Sequence, residues 1–375
     1  MGWVKYSLVA FGLIFIIVTV VNLVQTGKRL TTVNVFNVAN ENTDSGIFDP
    51  TLAFDPTGDM GLAAYSGVSR ATKETLFPSV SVNLAYTRNK GRRWVFNSNL
   101  FSARSDNLTI DGKTVSGVWR YEMPSLVYMP EDTGREWKIF AYRYFWADDI
   151  ELARKTSVIV YKDSADPLKG WSEEKWLFSA NQFNPPAPYN RLVLLHINVL
   201  DPALADVRSY ADPGAHVKDG LLYVSLSAFE TITDPARIIM VSSADAGKSW
   251  SYIGNILTIE DVEALEYLRM IGGQIFEFEG ESYFLVTLGD KLQAGQGAFV
   301  MKFADLSKGQ LERDKNGKPV IYNHFALDEN VSSSLGGGQA DYHAMNESGL
   351  LMAVMLARKV QKPFVILAQG HDIVK

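Results

Sequence analysis

Ser243-Ala-Asp-Ala-Gly-Lys-Ser-Trp250 has the spacing of a tight hairpin turn closed by its own side chains. The Asp carboxylate accepts hydrogen bonds from turn N–H groups that otherwise have no partner. Glycine two positions on takes the positive φ that other residues resist. The Trp three further on folds back as an apolar plug. Thr87-Arg-Asn-Lys-Gly-Arg-Arg-Trp94 repeats the pattern with Asn for Asp. Each copy follows a short apolar run, Arg237–Ser242 and Val80–Tyr86.

The pattern is part of a longer repeat. Leu-Phe-Ser-Ala recurs after Trp94 and after Trp171, and Trp94, Trp171 and Trp250 recur roughly every eighty residues. The middle copy is worn: Ser164-Ala-Asp166 is present, but the glycine has slid to Gly170. Two strand-like runs precede each copy, opening at Asp49-Pro-Thr-Leu, Glu122-Met-Pro-Ser-Leu and Asp212-Pro-Gly-Ala-His. Further sets without the turn open at Gly273 and Ala340. Only Ile259–Leu268 reads as helical.

The Ser/Thr-x-Asp-x-Gly-x-x-Trp turns (Ser243, Asp245, Gly247, Trp250; Thr87, Asn89, Gly91, Trp94) resemble the Asp-box, or BNR repeat, of sialidase-like β-propellers. That resemblance implies an all-β propeller of four-stranded blades, each box between a blade's third and fourth strands. The runs count to five blades. Asn181–Ser209 and Lys308–Leu335 are long enough to hold a sixth, which stays open as the alternative. The last set has only three strands, and the spare run Thr31–Val38 could complete it and remove the exposed edges.

Ser7 to Val24 is free of charge. At ~1.5 Å per residue it spans roughly 27 Å, near the thickness of a bilayer's hydrocarbon. No small-residue cleavage site follows, which favours an uncleaved signal anchor. The expected organisation is a tail (1–6), a transmembrane helix (7–24), a linker (25–30) and a propeller domain (31–375). The resemblance to secreted propellers implies a cytoplasmic N-terminus and a periplasmic or extracellular propeller.

Net charge is −6, spread without basic stripes, so nucleic acid is not an expected partner. The chain has no Cys, which excludes disulfides and thiolate-bound metal. No zinc, phosphate-loop or nucleotide motif appears, and neither metal nor cofactor is expected.

Chemistry is expected where inner strands converge on a channel. The blade openings offer Asp49, Arg120, Glu122, Asp212, His216, Arg269, Asp341 and His343. Carboxyl groups can protonate a leaving oxygen and activate water, while Arg or His grips hydroxyls or a sugar carboxylate. The openings also resemble those of five-bladed furanosidases. That resemblance implies Asp49 as general base and Asp212 as modulator of an acid; the acid's Glu-Gly-Pro-like opening is missing, with Glu263 or Glu266 nearby. A sialidase reading would draw on Arg120, Arg269, Arg358 and Tyr342. The expectation is a glycoside hydrolase-like protein with Asp49, Glu122 and Asp212 as catalytic residues. Arg120, His216, Arg269, Asp341 and His343 would then bind a glycan or glycoconjugate. The alternative is a non-catalytic platform for protein partners in the envelope.

Overall fold

A computed structural model describes residues 28–30, 34–41, 46–71, 77–110, 112–180, 193–289, 295–327, 338–344, 349–354 and 364–369. Residues 7–24 and Arg358 lie outside these. No helix among the described residues is long and apolar enough to cross a membrane.

The strands form five sheets; setting aside the N-terminal strands on three outer edges and the extra strand Arg104–Ile110, the innermost strand of each comes first in sequence. The inner strands are Ile47–Phe54, Lys113–Tyr128, Ser209–Lys218, Arg269–Phe278 and Gly338–His343. Each contacts the next, and the fifth contacts the first, so they close a ring. The sheets radiate from it. Their middle strands read as near-continuous apolar runs because both faces are covered: Leu62–Tyr65 and Ile238–Val241 are wholly buried. The core is accordingly layered between sheets. One apolar layer joins the first and second sheets, another the second and third, another the third and fourth.

The Asp-box hairpins lie where the sequence puts them, between third and fourth strands. Asp245 accepts from the N–H groups of Lys248 (3.0 Å) and Ser249 (2.8 Å), and Ser243 Oγ accepts from Gly247 N–H (2.8 Å). Ala246 and Gly247 take φ of +61° and +94°. Trp250 donates from Nε1 to the Gly247 carbonyl (3.1 Å) and meets Phe178 of the neighbouring sheet edge-on. In the first sheet Asn89 accepts from Arg93 N–H (2.9 Å), and Gly91 N–H donates to Thr87 Oγ1 (3.1 Å). The worn copy keeps half the device. Asp166 still accepts from Leu168 N–H (3.2 Å), and Trp171 Nε1 still donates to a turn carbonyl, that of Pro167 (3.1 Å).

The two stretches that could have held a sixth blade contribute outer strands instead. Val193–His196 pairs with Lys175–Ser179 in the second sheet, and Ile321–Leu327 pairs with Gly295–Asp305 in the fourth. The N-terminal segment does more than complete the last sheet: of the expected spare run, Asn34–Val35 and Val38 pair, and so do Lys28–Leu30 of the expected linker. Lys28–Leu30 pairs with Ile321–Leu327 of the fourth sheet, Asn34–Val35 with Phe364–Gln369 of the fifth, and Val38–Ala39 with Trp94–Phe101 of the first. It is a strap across three outer edges.

Helix is slightly richer than the sequence indicates. Ile259–Ala264 is helical, started by a Thr258–Asp261 capping box. A second helix, Ile150–Lys155, has Asp149 as its N-cap (3.1 Å to Leu152 N–H) and carries no strong periodic signal.

Candidate functional site

Every inner strand carries a bulge at the same height. Register breaks at Asp49-Pro50, opposite Phe140 to Tyr142 (Met123-Pro124), at Asp212-Pro213, at Gly272 and between Gly338 and Ala340. Asp49, Met123 and Asp212 are left-handed there, with φ of +50°, +56° and +55°. Such a backbone costs a non-glycine residue of order 1–2 kcal/mol. The bulges bend the strands and re-aim their side chains.

A belt of side-chain contacts, polar except between the fourth and fifth strands, ties each inner strand to the next at this level. Thr51 Oγ1 accepts from Leu126 N–H (3.0 Å), and Ser125 Oγ accepts from Ala215 N–H (2.7 Å). Gln274 donates to the Pro213 carbonyl (3.3 Å). Phe276 and Tyr342 meet edge to face at 5.1 Å. Asp341 closes the circle, accepting from Thr51 Oγ1 (2.9 Å) and Leu52 N–H (2.7 Å).

The belt divides the channel. At its level lies a small cavity of about 10 Å³, walled by Pro50, Met123, Pro213 and Gln274 among others. On one side lies a cavity of about 290 Å³ whose wall includes Glu122, Asp212, Arg154, Arg269, Tyr144 and Trp146. On the other lies one of about 320 Å³ that includes Asp341, Tyr342, His343, His216, Glu277 and Tyr128.

The candidate residues therefore fall into two groups. Glu122, Asp212 and Arg269 share the first cavity. Arg120 sits beside it, stacked over the Trp146 ring at 4.9 Å and donating to the Pro78 carbonyl (2.9 and 2.7 Å). Asp49 is buried next to this group but does not line the cavity; its carboxylate accepts from Ser66 Oγ (3.1 Å). His216, Asp341, His343 and Tyr342 are at the far mouth, and the structure does not bring them to the carboxylates.

The three carboxyls share one electrostatic fate. Burial pushes Asp49 well above the usual range, and the neighbouring charges of Glu122 and Asp212 push it further. Burial also raises Glu122, against the stabilising hydroxyl of Tyr144, and raises Asp212, against Ser227 and the Gly272 N–H. Carboxyl groups raised above their usual range beside an open cavity, as Glu122 and Asp212 are, are suited to proton transfer.

Arg154, Tyr142, Tyr144 and Trp146 also line this cavity and are invisible in the motif pattern. Arg154 comes from the helix Ile150–Lys155. The tyrosines and Trp146 end the strand Trp137–Trp146, whose alternation reads only as core.

No protein-family model matches the chain, and no curated protein sequence does. Solved structures do match. One is the α-L-arabinofuranosidase of Podospora anserina in complex with cellotriose, 8% identical, with a TM-score of 0.54 over 92% of this chain and 98% of that one. Another is the catalytic domain of the Coprinopsis cinerea GH62 α-L-arabinofuranosidase, 8% identical, with a TM-score of 0.53 over 92% and 98%. A third is Trypanosoma rangeli sialidase, 10% identical, with a TM-score of 0.46 over 92% and 59%. The chain has the β-propeller fold of the two arabinofuranosidases.

Proposed function

We propose that this propeller is a glycoside hydrolase-like protein acting on glycans, held at a membrane by residues 7–24 with the propeller outside the cytoplasm. One observation carries the reading: two buried carboxyls, Glu122 and Asp212, share the wall of a cavity that also holds arginines and aromatic rings. One carboxyl would protonate the leaving oxygen and the other would activate water or attack the sugar. The furanosidase resemblance assigns the base to Asp49. The composition of the cavity wall favours Glu122 and Asp212 as the working pair, with Asp49 as a third charge that tunes them. The likeness in fold to arabinofuranosidases supports a glycan as the ligand.

The test uses the full chain in detergent against a panel of arabinan, xylan, pectin and sialylated oligosaccharides, with products resolved by anion-exchange chromatography. Glu122→Gln and Asp212→Asn should each slow turnover by about 100-fold or more while circular dichroism is unchanged. A wild-type chain that neither cleaves nor binds any member of the panel sinks the proposal.

A second reading, a platform for protein partners in the envelope, has its own observation. Leu194, on the outer strand of the second sheet, and Val199, in the helical turn that follows it, are 65% and 66% exposed. Stoichiometric partners co-purifying with wild type but not with a Leu194→Ser, Val199→Ser chain would favour it.

A further inference from the structure

The hydrogen bonds and the ring contact of Arg154 are all with neutral groups. Its guanidinium lies over the Phe229 ring at 3.6 Å, Nε donates to the Ile232 carbonyl (3.2 Å) and Nη1 donates to the Tyr142 hydroxyl (3.2 Å). These contacts fix the plane of the fork. The backbone beneath is fixed too: Ser157 Oγ donates to the Arg154 carbonyl (2.8 Å), and Thr156 Oγ1 donates to the Leu152 carbonyl (2.9 Å). No described carboxylate forms an ion pair with it. The other arginine on the same wall is committed: Arg269 Nη2 stands 2.6 Å from Asp234 Oδ1. Nearby Arg237 is paired as well, 2.6 Å from Glu230 Oε1.

A partly buried guanidinium normally has an anionic partner, because burial without one gives up hydration for little return. The Nη2 edge of Arg154 has no partner among the described residues, and the group lines the cavity beside Glu122 and Asp212. A planar, preorientated fork with a free edge suits a carboxylate better than a hydroxyl. We propose that Arg154 reads a carboxylate on the ligand, so that the glycan bound here is an acidic sugar of the hexuronate class rather than a neutral furanoside. This rests on the glycan reading above and narrows it.

The neighbouring acids do not forbid an anion. Burial favours the protonated forms of Glu122 and Asp212, and Arg269 offsets Asp234. Arg154 also lowers both acids electrostatically, so its rival role is that of a counter-charge positioning them. The two roles differ in what they discriminate.

The experiment is ligand-observed NMR titration of the full chain in detergent with glucuronate and galacturonate, each against glucose and galactose. Wild type should bind the acids at least about tenfold more tightly. Arg154→Gln should weaken the acids by about tenfold to a hundredfold and leave the neutral sugars unchanged, with Arg154→Lys between. Equal wild-type affinity for acidic and neutral sugars overturns the inference while the glycan reading stands. Equal loss for both classes in Arg154→Gln assigns the counter-charge role and overturns it too. Absence of binding by all four, together with no cleavage of the wider panel, removes both readings.

Discussion

Asp341 and His216 stand at the same mouth of the channel and pull the response to pH in opposite directions. Burial pushes the Asp341 carboxyl up to about 6, although Leu52, Tyr342 and Thr51 all donate to it. An unfolded Asp titrates near ~4, so between about pH 4 and 6 the folded chain keeps a proton that the unfolded chain has released. Stability from this group is present below that window and is lost as pH rises through it. Burial pushes the His216 imidazole down to about 4, with Lys218 and His343 adding to the effect. An unfolded His titrates near ~6.5, so its contribution is present at neutral pH and is lost as pH falls toward 4. The windows overlap and the slopes oppose. Removing either group should unmask the other. From pH 6 to 4.5 the melting temperature of Asp341→Asn should fall by a few degrees relative to wild type. That of His216→Gln should rise by a similar amount. Thermal melts across this range check it. Asp49, Glu122 and Asp212 shift all three proteins alike, so variants with parallel slopes would refute the assignment.

At the scale of elements, the hairpin turns were legible because their chemistry is local. Ser243, Asp245, Gly247 and Trp250 close on one another within eight residues, and no tertiary partner is needed to recognise them. The inner-strand bulges were half legible. Asp-Pro and Met-Pro mark a break, but nothing local says that five breaks fall at one height. The pairing of blade-start residues into one site failed for a geometric reason. Asp212 and His216 are four residues apart on one strand, about 13 Å at ~3.3 Å per residue, which carries them to opposite sides of the belt. The belt's tightness gives an element-scale prediction. A Cβ on Gly214 would stand 2.0 Å from the Gly273 carbonyl oxygen of the next inner strand. Neither backbone can yield without breaking the Gln274 and Ser125 bonds beside it. Gly220, in the following turn, has φ of +74° but open space around it. Gly220→Ala should therefore cost about 1 kcal/mol. Gly214→Ala should cost several times that or prevent folding, as read by urea denaturation. Similar midpoints for the two would mean that the inner strands are not in this close contact.

For the whole molecule, ring closure rests on few residues. Asp341 joins the last inner strand to the first from within, and the strap Lys28–Ala39 joins three sheets from outside. The sequence indicated that a spare strand could complete the last sheet. It could not indicate the contacts with the fourth and first sheets, because two- and three-residue pairings leave no periodic trace. Arg154 was hidden for a similar reason: its aim is set by Phe229 and Tyr142, from other strands. The strap covers the outer strand Phe364–Gln369, which without it would be an open sheet edge. Open edges recruit other strands. A chain beginning at residue 27 keeps all three pairings, whereas one beginning at residue 41 keeps none. The first should unfold cooperatively, with a midpoint close to that of the full chain. The second should lose amide protection first at 364–369 and 349–354, and then in the inner strand of the first sheet, where Leu52 N–H depends on Asp341. It should also associate with itself as concentration rises. Hydrogen exchange followed by mass spectrometry, with light scattering on the same samples, reads both effects. Equal protection of 364–369 in the two chains would show that the ring closes without its strap.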